Sequence, residues 1–229
     1  MNKKLAQLLK ISAAVAGIAA GLPAHAGLIS FTSQAAWNAA VGPVSGTENF
    51  NSFASDTTFQ NTTVNVNNMS ISGVPGSNGS TTNTIDALSF AYGGYYDLNG
   101  STYLLGDLQG SQTIRIDFTD AVSAWGGTFS GISDGPRNTV LSAYDAGNNL
   151  LGVVNTSSVT NSDVGFYGFA FDANETASYL VFQNTTTYND VFGLDDIGFV
   201  TANVPEPNSL ALFGLGLVGL TLLRRKKQA

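Results

Sequence analysis

Two adjacent aspartates, Asp195 and Asp196, lie in the stretch Phe-Gly-Leu-Asp-Asp-Ile-Gly-Phe. On an extended strand, side chains alternate between two faces, so Asp195 shares a face with Ile197 and Phe199, which we expect in the core. A buried carboxylate is costly unless a cation pairs with it, and no basic residue lies nearby in the sequence. Calcium, which binds six to eight oxygen ligands, meets this need. The pattern predicts Asp195 as a metal ligand and Asp196 as exposed; the alternative is that Asp195 is a partly exposed residue capping the strand.

A second candidate site is the segment Tyr-Gly-Gly-Tyr-Tyr-Asp, which contains Tyr95, Tyr96 and Asp97. Tyrosine rings combine an apolar face with a hydroxyl group, and this combination suits the mixed surface of a sugar. These three residues are therefore candidates for glycan binding. The alternative is that the tyrosines pack across strands, since aromatic residues favour β-structure.

The globular part of the chain lacks residues that many enzyme classes require. Its single histidine, His25, lies in the N-terminal segment, and the chain has no cysteine. After residue 26, a Ser-His-Asp or Cys-His nucleophile pair and a histidine-ligated zinc site are therefore excluded. Carboxylates alone can hydrolyse glycosides, although nothing in the sequence marks two of them as a catalytic pair.

The region from residue 27 to residue 203 is strongly acidic and long enough for one domain with a sizeable core. Two arginines, Arg115 and Arg137, stand against fifteen carboxylates, which gives a formal charge of −13. Such a charge disfavours nucleic acid or an anionic membrane as partner and favours divalent cations or neutral glycans. Because cysteine is absent, the domain depends on its core or on bound metal rather than on disulfides.

Short alternating segments predict β-strands in this region. Residues 113–118 place Ile114, Ile116 and Phe118 on one face and polar side chains on the other. Similar patterns predict strands at 63–72, 85–91, 124–130, 139–145, 150–155, 165–171, 178–183 and 196–200. Turns are expected at Asn78-Gly79, Asn99-Gly100, Asp134-Gly135-Pro136 and Gly147-Asn148-Asn149. A type I′ turn at Asn99-Gly100 would pair Tyr96 with Tyr103.

Helix signals are sparse. They occur only at residues 32–41, with Thr32 or Ser33 as the N-cap. Many short strands separated by glycine and asparagine turns predict an all-β, antiparallel β-sandwich, specifically a jelly roll. We expect both tryptophans in the core, Trp125 because the following Gly126 and Gly127 leave room for its ring.

The first 26 residues have the three parts of a secretory signal peptide. A basic start, MNKKLAQLLK, is followed by an apolar run over residues 11–22 and by the small-residue site Ala24-His25-Ala26. We expect export by the Sec pathway and cleavage after Ala26. An N-terminal membrane helix is the weaker alternative, because the apolar run is too short to span a bilayer.

The last 26 residues, 204–229, join a Pro-Glu-Pro motif to a short apolar segment and a basic end. At about 1.5 Å per residue, a helix over residues 210–223 covers roughly 21 Å, less than the ~30 Å hydrocarbon core. The basic cluster of Arg224, Arg225, Lys226 and Lys227 places this end in the cytoplasm. The pattern predicts a short transmembrane helix that holds the chain transiently, with an ordinary single-pass anchor as the alternative.

This tail resembles the PEP-CTERM sorting signal of exported bacterial proteins. The motif residues Val204, Pro205, Glu206 and Pro207, the apolar segment and the basic cluster occur in the order of that signal. The resemblance implies recognition by an exosortase, a membrane transpeptidase, with processing near the motif. It also implies a Gram-negative host that makes exopolysaccharide, and a route through the inner membrane to the cell surface or extracellular matrix.

The stretch Leu-Asp-Asp-Ile-x-Phe is also similar to the closing strand of MAM domains and of calcium-bearing carbohydrate-binding jelly rolls. In those families an aspartate at this position and an acidic residue from an early strand hold a structural calcium ion. The resemblance implies calcium at Asp195 and Glu48. Asp190 is either a further ligand or a turn residue.

Three functions from different classes remain open for a chain divided into residues 1–26, 27–203 and 204–229. The favoured one is an exported, non-catalytic surface or matrix protein that contributes to exopolysaccharide, biofilm structure or adhesion. The second is a calcium-dependent glycan-binding module. The third is a glycoside hydrolase that uses carboxylates.

Overall fold

The computed structural model describes residues 27–74, 83–87, 94–98, 100–110, 112–161, 163–172 and 175–202. Within these ranges the chain forms an antiparallel β-sandwich with one α-helix. The predicted signal peptide, the C-terminal tail with its predicted transmembrane helix, the Asn78-Gly79 turn, residues 88–91 of a predicted strand and Asn99 lie outside the described residues. None of the helical structure in the described ranges is long and apolar enough to cross a bilayer.

The strands of the described ranges follow in chain order. The first seven are β1 (Leu28–Phe31), β2 (Gly46–Glu48), β3 (Thr57–Thr58), β4 (Thr63–Val66), β5 (Met69–Val74), β6 (Thr84–Asp86) and β7 (Tyr103–Leu108). They are followed by β8 (Thr113–Ser130), β9 (Thr139–Tyr144), β10 (Leu150–Asn155), β11 (Gly165–Phe171), β12 (Ala177–Asn184) and β13 (Asp190–Thr201).

The helix α1 (Gln34–Val41) lies between β1 and β2 and begins where the sequence predicts. Ser33 is its N-cap, and the Ser33 hydroxyl oxygen accepts a hydrogen bond from the N–H of Ala36 at 3.4 Å. Such a cap satisfies one of the free N–H groups of the first helical turn.

The two layers of the sandwich share the long strand β8. Its first half pairs with β5 and β12, and its second half pairs with β11 and β13. The first layer therefore has the order β4-β5-β8-β12-β9-β10, and the second layer contains β1, β11, β8, β13, β7, β6 and β3, with β2 paired to β13. The sequence predicts two strands here, at residues 113–118 and 124–130, but the structure continues from Thr113 to Ser130 as one strand.

The core lies between the two layers and is rich in aromatic rings. Trp125 of β8 contacts Phe169 of the second layer at 6.4 Å and Phe182 of the first layer at 6.0 Å, measured between ring centroids. The Trp125 ring does lie close to Gly127, 3.4 Å from an added Cβ, but other side chains approach the two glycines more tightly. A Cβ added at Gly126 would lie 2.4 Å from the Phe166 ring, and one at Gly127 would lie 2.5 Å from Leu194.

The outer face of the second layer is covered at two places. The helix α1 packs Trp37 against Phe166, with ring centroids 5.8 Å apart. Residues 94–98 pack Tyr96 against Tyr103 in a separate apolar cluster. The covering by α1 forms one wall of the groove described below.

Strand positions are confirmed most closely for β9 to β12, each within one residue of the predicted range. The turn between β9 and β10 is also confirmed, with Asn148 at a φ of 63°. The predicted strand 63–72 is instead a hairpin of β4 and β5, in which Asn67 has a φ of 42°. Asparagine tolerates this left-handed conformation, which allows the tight turn.

The predicted pairing of Tyr96 with Tyr103 is wrong. Tyr103 pairs with Asp86 of β6 instead. The Asp97 carboxylate accepts a hydrogen bond from the N–H of Gly100 at 2.8 Å, so a local turn does form. The strand after the turn pairs with an earlier part of the chain, and short-range turn chemistry does not determine that choice.

Candidate functional site

The candidate site surrounds a bulge in β13. Asp195 pairs with Thr128, and Gly198 already pairs with Gly126, so two residues of β13 face one residue of β8. Asp196 has a φ of 48°, in the left-handed region that few non-glycine residues adopt. A bulge of this kind adds one residue to the strand and redirects the side chains around it.

The bulge determines which way the two aspartates point. Leu194 and Ile197 both face the core, which leaves Asp195 on the outer face of the second layer. The prediction that Asp195 shares a face with Ile197 is therefore wrong, because it assumes unbroken alternation. The predicted burial of Asp195 and exposure of Asp196 are both observed, with Asp195 only 3% exposed.

Asp195 is buried beneath the segment that leads into β7. Its Oδ1 accepts a hydrogen bond from the N–H of Asp196 at 2.7 Å, and its Oδ2 lies 2.7 Å from the Ser101 hydroxyl. The same hydroxyl lies 2.6 Å from the carbonyl oxygen of Leu98, so one proton serves two acceptors. Burial raises the pKa of Asp195 to about 7, against the lowering effect of these two hydrogen bonds.

Glu48 lies on β2, opposite Ile197, and is 7% exposed. Its Oε1 accepts a hydrogen bond from the N–H of Phe50 at 2.6 Å, and its Oε2 accepts one from the Asn67 amide at 2.5 Å. Glu48 therefore connects β2 to the turn between β4 and β5. The fold brings Glu48 and Asp195 to the same bulge, but it places them on opposite faces of β13.

A depression of about 370 Å³ lies beside Glu48. Its lining includes Ser52 and Asn65, whose side-chain oxygens are of the type that calcium prefers, whereas Asn67 turns its amide nitrogen toward Glu48. Within the described ranges, no group of three or more His, Cys, Asp or Glu side chains is arranged to hold a metal ion. A cation at Glu48 would thus depend on one carboxylate supplemented by amide, hydroxyl and carbonyl oxygens.

Asp190 lies at the start of β13, five residues before Asp195 and about 16 Å away along the strand. It is completely buried, and its Oδ2 accepts hydrogen bonds from the N–H of Ser133 at 2.9 Å and the hydroxyl of Thr139 at 2.5 Å. Its Oδ1 has no hydrogen-bond partner among the described residues. Burial raises the pKa of Asp190, while the bonds from Thr139 and Ser133 lower it. Asp190 fastens the loop between β8 and β9 and does not join Glu48 or Asp195.

The fold separates the three candidates of the tyrosine segment. Tyr95 is 64% exposed. Tyr96 is half-buried, and a Cβ added at Gly131 would lie 2.5 Å from its ring. Asp97 caps the turn at Gly100. Of the two tyrosine rings, Tyr95 is therefore the one presented to solvent.

A groove of about 440 Å³ lies between α1 and β2 on the outer face of the second layer. Phe166 contributes to its floor, and its rim carries Gln34, Asn38 and Asp196. Sequence reasoning missed this groove because its walls come from three distant parts of the chain. The one sequence signal that could have indicated the groove is the pair Gln34 and Asn38, whose side-chain amides lie one turn apart on the short helix α1.

The C-terminal residues 203–227 match the PEP-CTERM protein-sorting motif, as the resemblance predicts. A chain with this motif is exported and sorted to the cell envelope or surface through exosortase-type processing. The motif residues and the basic cluster lie outside the described residues, so this finding rests on sequence.

Among functionally curated proteins, none matches the chain. The similar solved structures are mainly carbohydrate-binding modules, and the three described next are 12 to 13% identical in sequence. TmCBM61 in complex with β-1,4-galactotriose has a TM-score of 0.36 over 58% of this chain and 82% of the module. The CBM22-1 xylan-binding domain from Paenibacillus barcinonensis Xyn10C has a TM-score of 0.35 over 70% and 97%. The family 29 module CBM29_1 from Piromyces equi has a TM-score of 0.33 over 50% and 79%. At this level the similarity concerns the fold alone.

Proposed function

We propose that the protein is a non-catalytic component of the cell surface or extracellular matrix that contributes to exopolysaccharide, biofilm structure or adhesion. The observation that carries this proposal is the sorting motif at residues 203–227, which follows directly on a closed acidic β-sandwich. The route is Sec export, transient residence in the inner membrane of a Gram-negative cell, and processing by an exosortase-type transpeptidase.

The distance between sandwich and membrane supports this order of events. The strand β13 ends at Thr201, whose N–H donates a hydrogen bond to the Ser45 hydroxyl at 3.0 Å. The apolar segment begins nine residues later, at Leu210, so the linker spans at most about 30 Å when extended. The motif is therefore held between a folded domain and the membrane surface, where a membrane enzyme can reach it.

Replacement of Pro205-Glu206-Pro207 by three alanines tests the sorting function. We expect the variant to accumulate at full length in the membrane fraction of the native host, whereas the unaltered protein reaches the surface or medium in shortened form. Cell fractionation with immunoblotting measures this. Asp120→Asn, an exposed substitution outside residues 203–227, is the control and leaves processing intact. Normal processing of the triple variant would contradict the proposal.

A second candidate function, calcium-dependent glycan binding, is favoured by the oxygen-lined depression beside Glu48. No cation pairs with this buried carboxylate among the described residues, because Arg115 pairs with Asp117 and Arg137 donates to backbone carbonyl oxygens of Asp134 and Asn189. We assign the predicted calcium ion to Glu48. Asp195 faces the other side of β13 and Asp190 lies at its far end, so neither completes this site.

Thermal unfolding of the protein in millimolar calcium and in excess chelator tests the calcium assignment. A ligand at 100 times its dissociation constant adds about 2.7 kcal/mol to the free energy of unfolding, which raises the midpoint by several degrees. We expect Glu48→Gln to abolish this rise. Asp120→Asn, which neutralises an exposed carboxylate, is the matched control and preserves it. An unchanged midpoint in the unaltered protein would contradict the assignment.

A further inference from the structure

The groove between α1 and β2 has a fixed apolar floor. Its volume of about 440 Å³ lies within the range of small-molecule binding pockets. Trp37 and Phe166 are both buried at its base, and the Trp37 indole N–H donates a hydrogen bond to the carbonyl oxygen of Phe169 at 3.0 Å. Val44, which is partly exposed, adds an apolar wall. This hydrogen bond and the packing of Trp37 against Phe166 hold the indole in place at the floor.

The rim of the groove carries polar groups with free hydrogen-bonding capacity. Gln34 and Asn38 lie one helical turn apart on α1, and Thr47 lies opposite them on β2. Within the described residues, these three side chains and the Asp196 carboxylate make no hydrogen bond to other protein groups. Amide, hydroxyl and carboxylate groups from two sides thus converge on one apolar floor.

The bulge in β13 brings the carboxylate into this groove. Regular alternation beyond Asp195 would turn the Asp196 side chain toward the core, but its φ of 48° turns it outward. Residues held in sparsely populated backbone regions are concentrated at functional sites. The strained residue is thus one of two carboxylates that line the groove, and the other is the buried Glu48.

The charge of the groove defines the class of ligand. Neither of the two arginines of the sandwich lines it, since Arg115 lies at Asp117 and Arg137 lies at Asn189. An anionic ligand would be repelled, whereas the hydroxyl groups of a sugar can donate to Asp196 and exchange hydrogen bonds with the amides. The C–H face of a sugar ring suits the apolar floor.

We propose that this groove binds a neutral saccharide unit, with the Asp196 carboxylate accepting hydrogen bonds from the hydroxyl groups of the sugar. The proposal rests on the glycan-binding function named above and gives that function a site separate from the tyrosine segment. A carboxylate acceptor strengthens a hydrogen bond relative to a neutral one, so Asp196 supplies the largest polar contribution.

Calorimetric titration of the full chain tests this site. The probes are neutral tetrasaccharides of glucose, galactose, mannose and xylose, with trigalacturonate as the anionic comparison. Asp196→Asn keeps the shape of the side chain and tolerates the left-handed backbone, and we expect it to weaken binding about tenfold or more. Asn38→Ala, on the exposed face of α1, is expected to weaken it about fivefold. Asp120→Asn, which changes an exposed carboxylate outside the groove lining, leaves binding unchanged.

The outcomes separate the site from the function. Binding of a neutral probe that both groove variants weaken, with a change in Trp37 fluorescence, supports the site. Neutral binding that persists in both variants, or that Tyr95→Ala abolishes instead, overturns the groove and leaves glycan binding standing. Tighter binding of trigalacturonate than of every neutral probe overturns the charge argument and with it the proposal. Failure of every neutral probe to bind overturns both the groove and the glycan-binding function.

Discussion

Asp190 and Asp195 lie on one strand and are both buried, yet they face opposite sides of it. Asp190 is on the core side and holds the loop between β8 and β9. Asp195 is on the outer side and holds the segment that leads into β7. Burial raises the pKa of both carboxyl groups. The two residues therefore show two ways in which one sheet accommodates a buried acid.

The difference lies in the hydrogen-bond donors. Two groups, the N–H of Ser133 and the hydroxyl of Thr139, donate to a single oxygen of Asp190, and the charge of Arg137 also lowers its pKa. Asp195 also has two donors, one to each oxygen: the N–H of Asp196, and the Ser101 hydroxyl, whose one proton is shared with the Leu98 carbonyl oxygen. The charges of Asp196 and Glu48 raise its pKa further. We infer that Asp190 mainly holds the loop between β8 and β9 in place and that Asp195 is the group that titrates near neutral pH.

The largest expected difference between Asp195 and Asp190 is in the pH dependence of the free energy of unfolding. Because the folded-state pKa of Asp195 is about 7 and its ordinary value is 3.8, the folded protein binds the proton more tightly than the unfolded chain. The stabilisation is fully present below about pH 4 and is lost as the pH rises through 7. The difference is at most about 4 kcal/mol in the free energy of unfolding. Urea denaturation in chelator, at intervals from pH 4 to pH 8, measures it.

Asp195→Asn is the variant that isolates this effect. Its amide keeps the size of the side chain and cannot ionise, so we expect the decline that Asp195 causes between pH 4 and pH 7 to disappear. Asp190 contributes a decline of the same sign and remains in the variant. Asp120→Asn, an exposed control, keeps the full decline. Identical pH profiles for the unaltered protein and Asp195→Asn would show that Asp195 does not titrate in this range.

Replacing each aspartate by alanine at pH 5.5 compares how much each side chain contributes to stability through its hydrogen bonds. Asp190→Ala removes the acceptor of two buried donors, and each unsatisfied buried group costs about 1 to 3 kcal/mol. We expect a loss of about 3 kcal/mol at pH 5.5, measured by urea denaturation. Asp195→Ala at the same pH is expected to cost about 1 kcal/mol, since the Ser101 hydroxyl retains Leu98 as its acceptor. Equal losses of stability in the two variants would show that Asp190 and Asp195 do not differ in how strongly their hydrogen bonds hold the neighbouring segments.

The features that local pattern controls were predictable from the sequence, and those that depend on pairing between distant segments were not. Alternation and turn residues located β9 to β12 within one residue, and the serine cap located α1. The bulge at Asp196 depends on the register of β13 against β8, which no local pattern encodes. For the same reason the predicted shared face of Asp195 and Ile197 is wrong, and Glu48, which pairs with Ile197, lies on the opposite face of β13 from Asp195.

Ser101→Ala gives the smallest and most specific test of the comparison. The Ser101 hydroxyl lowers the pKa of Asp195, so its removal leaves burial less opposed and the pKa rises above 7. The variant should lose about 1 kcal/mol at pH 5, where Asp195 is protonated, because one hydrogen bond to Leu98 is lost. Its loss of stability should grow between pH 7 and pH 8, since the ionised Asp195 is then the less favoured form in the fold.

Carboxyl carbon NMR titration of Asp195 measures the shift of its pKa directly, and Ser30→Ala, which changes an exposed serine of β1, serves as the control. A lowered pKa in Ser101→Ala would mean that Asp195 donates to Ser101 in its protonated form, and the shared hydroxyl would then stabilise the acid rather than the carboxylate.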